Sequence, residues 1–362
     1  MASMASILRS NSPFWRRLGF LGLGAAMLAG LGCGGSGRQR LVLYSPHGPE
    51  LLEVVEKRYE ELHPELDVIW LDMGSQDVFD RLLSEKANPQ ADVWFGGPDT
   101  ILAQGAAQGL LAPFRPSWAE AVAPESQHPE NLYFGLYRTA PVLAWNSKLV
   151  APADAPADWE DLLAPRFQGK VLLRDPLASG TLRTLFGSIL ARSVAETGSP
   201  ERGFGWLARL DTQTREYVLN PALMMEKLAR GEGLVTVWEL TDMLWQKQRG
   251  RPLEFGFPRS GTPVIDDSIG LVARAPHAEL AKAFIEWIGS PEAQRLAATA
   301  SFRLPARQDL PAAELPTWAQ KVLGDLVPAP VDGQLLTRES AGWMRRWDQE
   351  IRGKGGSWAA KP

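Results

Sequence analysis

The sequence predicts an α/β fold in which a parallel sheet is covered by helices. Short apolar runs at 41–44, 68–71 and 91–95 are each followed by a stretch whose apolar residues recur at helical spacing, and such alternation favours parallel strands. The alternation resumes near residue 170, after a Pro- and acid-rich segment at 151–165, so a second α/β region follows the first. A chain of 362 residues with 45% hydrophobic and 22% charged residues has room for one large domain or two medium ones.

The elements follow in order. LVLY at 41–44 reads as a buried strand, and Leu51, Leu52, Val55, Tyr59 and Leu62 then share one helical face over 49–62. VIWL at 68–71 is the second strand. A helix through Val78, Phe79, Leu82 and Leu83 follows it, with Ser75 as expected N-cap. ADVWF at 91–95 is the third strand, leading into a helix from Thr100. Beyond 165, strands are expected at 170–174, 231–237 and 268–273, and a long helix ends near Thr197. Helices are expected at 278–288 and 290–298. In the latter Ser290 caps and Pro291 takes the first helical position, where its missing N–H costs nothing. Asp266 and Asp267 fall in a turn before the last strand on this reading. Ligands of such sheets bind beyond the carboxyl ends of the strands, here 45–48, 73–76 and 96–99.

The first 40 residues read as an address. Arg9, Arg16 and Arg17 form a positive head, and 19–32 is a short apolar run with the dimensions of a secretory h-region. The single cysteine, Cys33, stands at its end, preceded by Gly32 and followed by GGSG, an arrangement that resembles a bacterial lipobox. The expectation is a signal peptide at 1–32, a lipid on Cys33, a tether at 33–39, and a periplasmic protein anchored in the inner or outer membrane. Residues 1–32 carry three arginines and no acid, so the formal charge falls from −4 to −7 in the remainder. An acidic body argues against nucleic-acid binding, and one cysteine excludes an intrachain disulfide framework and Cys-based zinc.

Five stretches carry a family resemblance: LVLYSPHGPE at 41–50, ADVWFGGPDTILAQGAAQGLLAP at 91–113, VLAWNSKL at 142–149, DPLASGT at 175–181 and AKAFIEWIGSPEAQ at 281–294. In this order the chain resembles the bacterial periplasmic solute-binding proteins of ABC importers, and more narrowly the group that includes ferric-ion, thiamine, phosphonate and polyamine binders. The resemblance implies a two-lobed type II periplasmic-binding-protein fold with two crossover hinge strands near 137–141 and 256–258. Lobe 1 would span 40–138 plus 258–362 with the C-terminal helices, and lobe 2 would span 139–257. Ligand would sit in the cleft between them. The expected partners are a small anion or zwitterion and an inner-membrane ABC permease with its ATPase. No cofactor is expected.

Ser179-Gly180-Thr181 is the most informative motif. Backbone N–H groups at a helix start point outward without partners, and the helix dipole adds positive potential there. Gly180 admits the ligand to the main chain, and in the resembling family this loop holds a phosphate-like oxyanion. Ser45, His47, Gly48, Gly74, Ser75 and Gly97 follow strand ends and are further candidate contacts. Trp238 is the candidate for stacking on a ligand. Glu239 with Asp242, and Asp267 with Asp266, would suit a cationic group, so an anion loop facing an acidic wall fits a zwitterion such as an aminophosphonate. His47 and Glu239 are also the candidate ligands for a metal. The adjacent tyrosine pair of ferric-ion binders falls at Trp238-Glu239, and no two of the five tyrosines are adjacent.

Other readings stay open: a ferric-iron or other metal binder with a non-tyrosine ligand shell, and a surface lipoprotein without a transport role. Catalysis has little to stand on. The four histidines are scattered, and no HExxH, GxSxG or P-loop pattern occurs.

Overall fold

The structure, a computed structural model, describes residues 37–359; Cys33 and the expected signal peptide lie outside them. Among the described residues no helix is long and apolar enough to cross a membrane.

The chain opens with β1 (Gln39–Ser45), α1 (Pro49–Leu62), β2 (Leu66–Asp72), α2 (Ser75–Ser84), β3 (Val93–Pro98) and α3 (Asp99–Ala107). β1 pairs in parallel with both β2 and β3, the arrangement that helical crossovers between strands of one sheet produce. Short β4 (Leu111–Ala112) and β5 (Phe134–Thr139) follow. At Ala140 the chain leaves this sheet, and β6 (Pro141–Asn146) already belongs to the second one.

That second sheet is built from β6, β7 (Val171–Arg174), β8 (Thr214–Val218), β9 (Val235–Glu239) and β10 (Leu253–Gly256), in the order β10-β6-β9-β7-β8. Around it lie α4 (Gly180–Thr197), α5 (Glu201–Gln213), α6 (Pro221–Arg230) and α7 (Leu240–Gln248). The chain then returns through β11 (Thr262–Pro263) to β12 (Ile265–Val272), which inserts between β3 and β5. α8 (Ala278–Ile288), α9 (Pro291–Ser301), β13 (Leu304–Pro305), α10 (Thr317–Asp325), β14 (Pro328–Ala329), α11 (Gly333–Glu350) and α12 (Gly355–Ala359) complete it.

Each sheet is mixed rather than parallel throughout. β12 lies antiparallel to β3 and β5, and β6 lies antiparallel to β9 and β10, because these strands arrive from the other lobe without a helical crossover. Three expectations are corrected locally. Ser75 is the first residue of α2, not its cap; Gly74 holds the cap position with no side-chain acceptor. The strand expected at 231–237 runs from Val235 to Glu239, because Gly231 takes a left-handed conformation that ends α6. Asp266 and Asp267 lie inside β12, paired opposite Arg138 and Tyr137, and not in a solvated turn.

One apolar core lies around Leu41, Leu43, Val93, Phe95 and Phe284, and another around Val142, Leu173, Phe186, Val237 and Trp347. The chain after 258 is shared between them. α8 and α9 cover the first sheet, whereas α11 packs on α4 and α12 on α5. Apolar Leu336, Trp343, Met344 and Trp347 of α11 are buried in the second core, a destination that helical spacing alone does not specify.

Candidate functional site

A cleft of about 500 Å³ opens between the two lobes at the carboxyl ends of β1, β2, β7 and β9. The first residues of α2 and α4 meet across it. A Cβ placed on Gly180 would stand 2.8 Å from Pro98 Cδ and 3.1 Å from Ser75 Oγ, and one on Gly74 would stand 3.1 Å from the Ala178 carbonyl oxygen. Ser179 Oγ accepts from the Leu182 amide at 3.3 Å. The Gly180 and Thr181 amides have no acceptor among the described residues, nor do those of Ser75 and Gln76. Two helix N-termini therefore present free N–H groups and their dipoles to one space. Arg174, at the end of β7, lines the same space; one of its nitrogens donates to the Val218 carbonyl at 3.1 Å and its Nε has no partner. Burial lowers the Arg174 pKa, while Asp175, Asp77 and Asp242 act to raise it.

Four carboxyl groups form an acidic wall in the same cleft, Glu50 and Asp72 from the first lobe and Glu239 and Asp242 from the second. Burial pushes the Glu239 carboxyl up to about 8, against the pull of Arg303; burial also raises Asp72 and Asp242. Asp242 is held by the Trp238 indole N–H. Arg303 underlies this wall. It is 6% exposed, donates to the His47 carbonyl at 2.6 Å and to Glu239 at 3.4 Å, and lies 4.0 Å from Asp267. Bonds also join the two lobes, from Arg249 at the end of α7 to Glu50 at 2.7 Å and from Arg183 of α4 to Gln76 at 2.5 Å.

Nine of the twelve expected contacts line the cleft: His47, Gly48, Gly74, Ser75, Ser179, Gly180, Thr181, Trp238 and Glu239. Ser45, Gly97 and Asp267 do not. Ser45 is fully buried, and its hydroxyl accepts from the His47 amide. Gly97 packs on Ile101 and Ser75, and Asp267 faces Arg303 beneath the floor. His47 lies at the edge of the cleft with its ring edge-on to Phe95 and Tyr137. Its Nε2 would lie 2.3 Å from a Cβ on Gly96, so only glycine fits there. Burial, and then Arg303, holds the His47 pKa well below its ordinary value. Trp94 and Asp266 lie away from the cleft: Trp94 is core, and Asp266 pairs with Arg138.

No three His, Cys, Asp or Glu side chains among the described residues converge as metal ligands. The guanidinium beside Glu239 opposes a multiply charged metal ion at that carboxylate more strongly than a singly charged group. Sequence reasoning missed Arg174, Asp72, Asn220, Arg249 and Arg303. Arg174 was legible as the last residue of a strand running into the anion loop. Arg303 had no local signal, since it lies between α9 and β13, more than 200 residues after β1, whose end it meets at the His47 carbonyl.

Two α/β lobes, a cleft between them and helix N-termini aimed into it define a periplasmic solute-binding protein of the type II class. The family described as Bacterial extracellular solute-binding protein matches residues 55–323, and the chain belongs to it. The chain is 30% identical over 252 residues to the putative 2-aminoethylphosphonate-binding periplasmic protein of Salmonella typhimurium, covering 68% of this chain and 71% of that one. It is 26% identical over 314 residues to a probable ABC transporter periplasmic-binding protein of Sinorhizobium fredii, covering 86% of each chain. Among solved structures, the periplasmic binding protein P5PA superposes with a TM-score of 0.75 at 24% identity, covering 86% of this chain and 99% of that one. The protein is thus the solute-binding component of an ABC importer.

Proposed function

We propose that the cleft captures a small zwitterion, an aminophosphonate or a molecule of that charge pattern, for delivery to an inner-membrane permease and its ATPase. The observation that carries this reading is the meeting of two helix N-termini, α2 and α4, whose Ser75, Gly180 and Thr181 amides are free, in a cleft that four carboxyl groups also line. The phosphonate accepts from the amides of Ser75, Gly180 and Thr181, with Arg174 as counter-charge. The ammonium meets Asp72, Asp242 and Glu239. The relative named for 2-aminoethylphosphonate supports the choice of class. In this reading the protein binds and does not catalyse, and Cys33 carries the lipid that tethers it.

Differential thermal stability tests the reading. 2-Aminoethylphosphonate at about 100 times its Kd is expected to stabilise the protein by ~2.7 kcal/mol through linkage. Ethylphosphonate should shift Tm less, and ethanolamine hardly at all. Equal shifts from the first two would remove the acidic wall from the site. No shift from any of them, with iron in the purified protein, would replace the reading by a metal one.

Proton linkage gives a separate check. With the Glu239 carboxyl near 8, it is mostly protonated at neutral pH. An ammonium beside it favours the ionised form and lowers that value. Binding of 2-aminoethylphosphonate at pH 7 is therefore expected to release a proton, and affinity to rise from pH 6 to 8. Calorimetry in two buffers of different ionisation enthalpy reads the release, and Glu239→Gln should remove its share. Proton uptake by the parent protein would contradict the assignment.

A further inference from the structure

The loop that presents the anion-binding amides is tied to the C-terminal end of the described chain. Asp175, which opens the loop, is buried, and the loop is folded around it. Its Oδ1 accepts from the Leu177 amide at 2.8 Å, and its carbonyl accepts from the Ala178 and Ser179 amides at 3.2 and 3.0 Å. Its own amide donates to the Val218 carbonyl at 3.1 Å. The remaining carboxylate oxygen, Oδ2, accepts from Arg352, which lies just beyond α11.

Arg352 is itself held from several sides. Its other terminal nitrogen donates to Asp348 at 2.9 Å, and its guanidinium lies 5.5 Å from the ring centres of both Tyr217 and Trp347. The turn that carries it is pinned by Asp211, whose carboxylate accepts from the Gly353 and Gly355 amides at 2.9 and 2.8 Å and from the Tyr217 hydroxyl at 2.8 Å. An arginine fixed in this way presents its N–H fork in one orientation, and a charge-assisted bond to a buried carboxylate is strong and directional.

We propose that Arg352 is a positioning residue for solute binding: through Asp175 it fixes the loop that aims the Gly180 and Thr181 amides into the cleft, although it contacts no solute itself. The inference rests on the anion-loop reading of the cleft. Without the guanidinium, Asp175 keeps its backbone bonds but loses the partner that sets its side-chain angle. The segment from 175 to 179 then samples orientations in which the α4 amides diverge.

The test compares three variants of the whole exported protein. Arg352→Met removes the brace and Arg352→Lys restores a charge without the fork. Arg346→Met is the control. Arg346 sits in α11, just before the turn that carries Arg352; it bonds Glu201 of α5 at 2.5 and 2.9 Å and lies 4.2 Å over the Phe204 ring, with no hydrogen bond to the loop. Readouts are 2-aminoethylphosphonate affinity by calorimetry, Tm, and amide hydrogen exchange in peptides covering 174–182 without solute. Arg352→Met should weaken binding about tenfold and speed exchange in that peptide. Arg352→Lys should recover part of both, and Arg346→Met should lower Tm with affinity within twofold of the parent.

Unchanged exchange and affinity in Arg352→Met would overturn the proposal. So would an equal loss of affinity in Arg346→Met, since the role would then be bulk stability. Gly180→Asp separates the two readings: if it leaves binding intact, the anion loop is wrongly assigned. If the parent fails to bind this probe, the exchange data alone decide on the brace.

Discussion

Gly180→Asp is expected to abolish solute binding while leaving the protein folded. Two effects act together. The new Cβ stands 2.8 Å from Pro98 Cδ, closer than packed atoms approach, so the lobes cannot close at that point without displacing the proline. The new carboxylate then occupies the amides that the solute's anionic group needs. Each charge-assisted bond lost is worth ~1.5–3 kcal/mol, so loss of two weakens binding by more than about 100-fold. The fold itself tolerates the change, since an acid in the first turn of a helix is favourable by ~0.3–1 kcal/mol. Gly180→Ala isolates the steric share and should fall between parent and aspartate variant. Calorimetry with 2-aminoethylphosphonate, beside a thermal melt of each variant, reads both quantities. Parent-like affinity in the aspartate variant, at parent-like Tm, would remove the α4 terminus from the site.

Arg303→Met should carry the largest cost in stability. The guanidinium is buried against Glu239, Asp267 and the His47 carbonyl, and breaking a buried ionic cluster from one side costs ~3–5 kcal/mol. The cost should depend on pH in a definite direction. Burial already lifts Glu239 to about 8 and Asp267 to about 6, even with Arg303 opposing it. A carboxyl whose folded pKa exceeds its unfolded value loses stability as pH rises from the unfolded value through the folded one. Removing the arginine raises both folded values further, so the decline extends to higher pH. Urea unfolding should show a gap between variant and parent that is small near pH 5 and wide near pH 8. A gap independent of pH would mean that lost packing, and not charge, explains the destabilisation.

Much of the cleft was legible because strand ends and helix starts leave local marks. Ser179-Gly180-Thr181 could be placed from a strand, a loop and a helical run in succession, and it lines the cleft as expected. Gly74 and Ser75 were placed in the same way, although the cap position expected at Ser75 falls on Gly74. Ser45 and Gly97 obey the same local rule yet fall beneath the surface, since the pleat and the turn after a strand decide which groups face the cleft. Asp267 was misread because an acid beside an apolar run looks like a turn until a partner such as Arg303 is known.

The sequence by itself determined the α/β class, the start of α4, that of α2 to within one residue, and the family. Hydrophobic period, capping residues and glycine positions act over a few residues, and one chain displays them in full. Only the tertiary structure decided that Arg303 underlies the acidic wall, that α11 and α12 join the second lobe, and that Arg352 reaches Asp175. Each of those contacts joins segments far apart in the chain. Its energy depends on burial and charge neighbours, which exist only once the two sheets have formed and the chain has crossed between them.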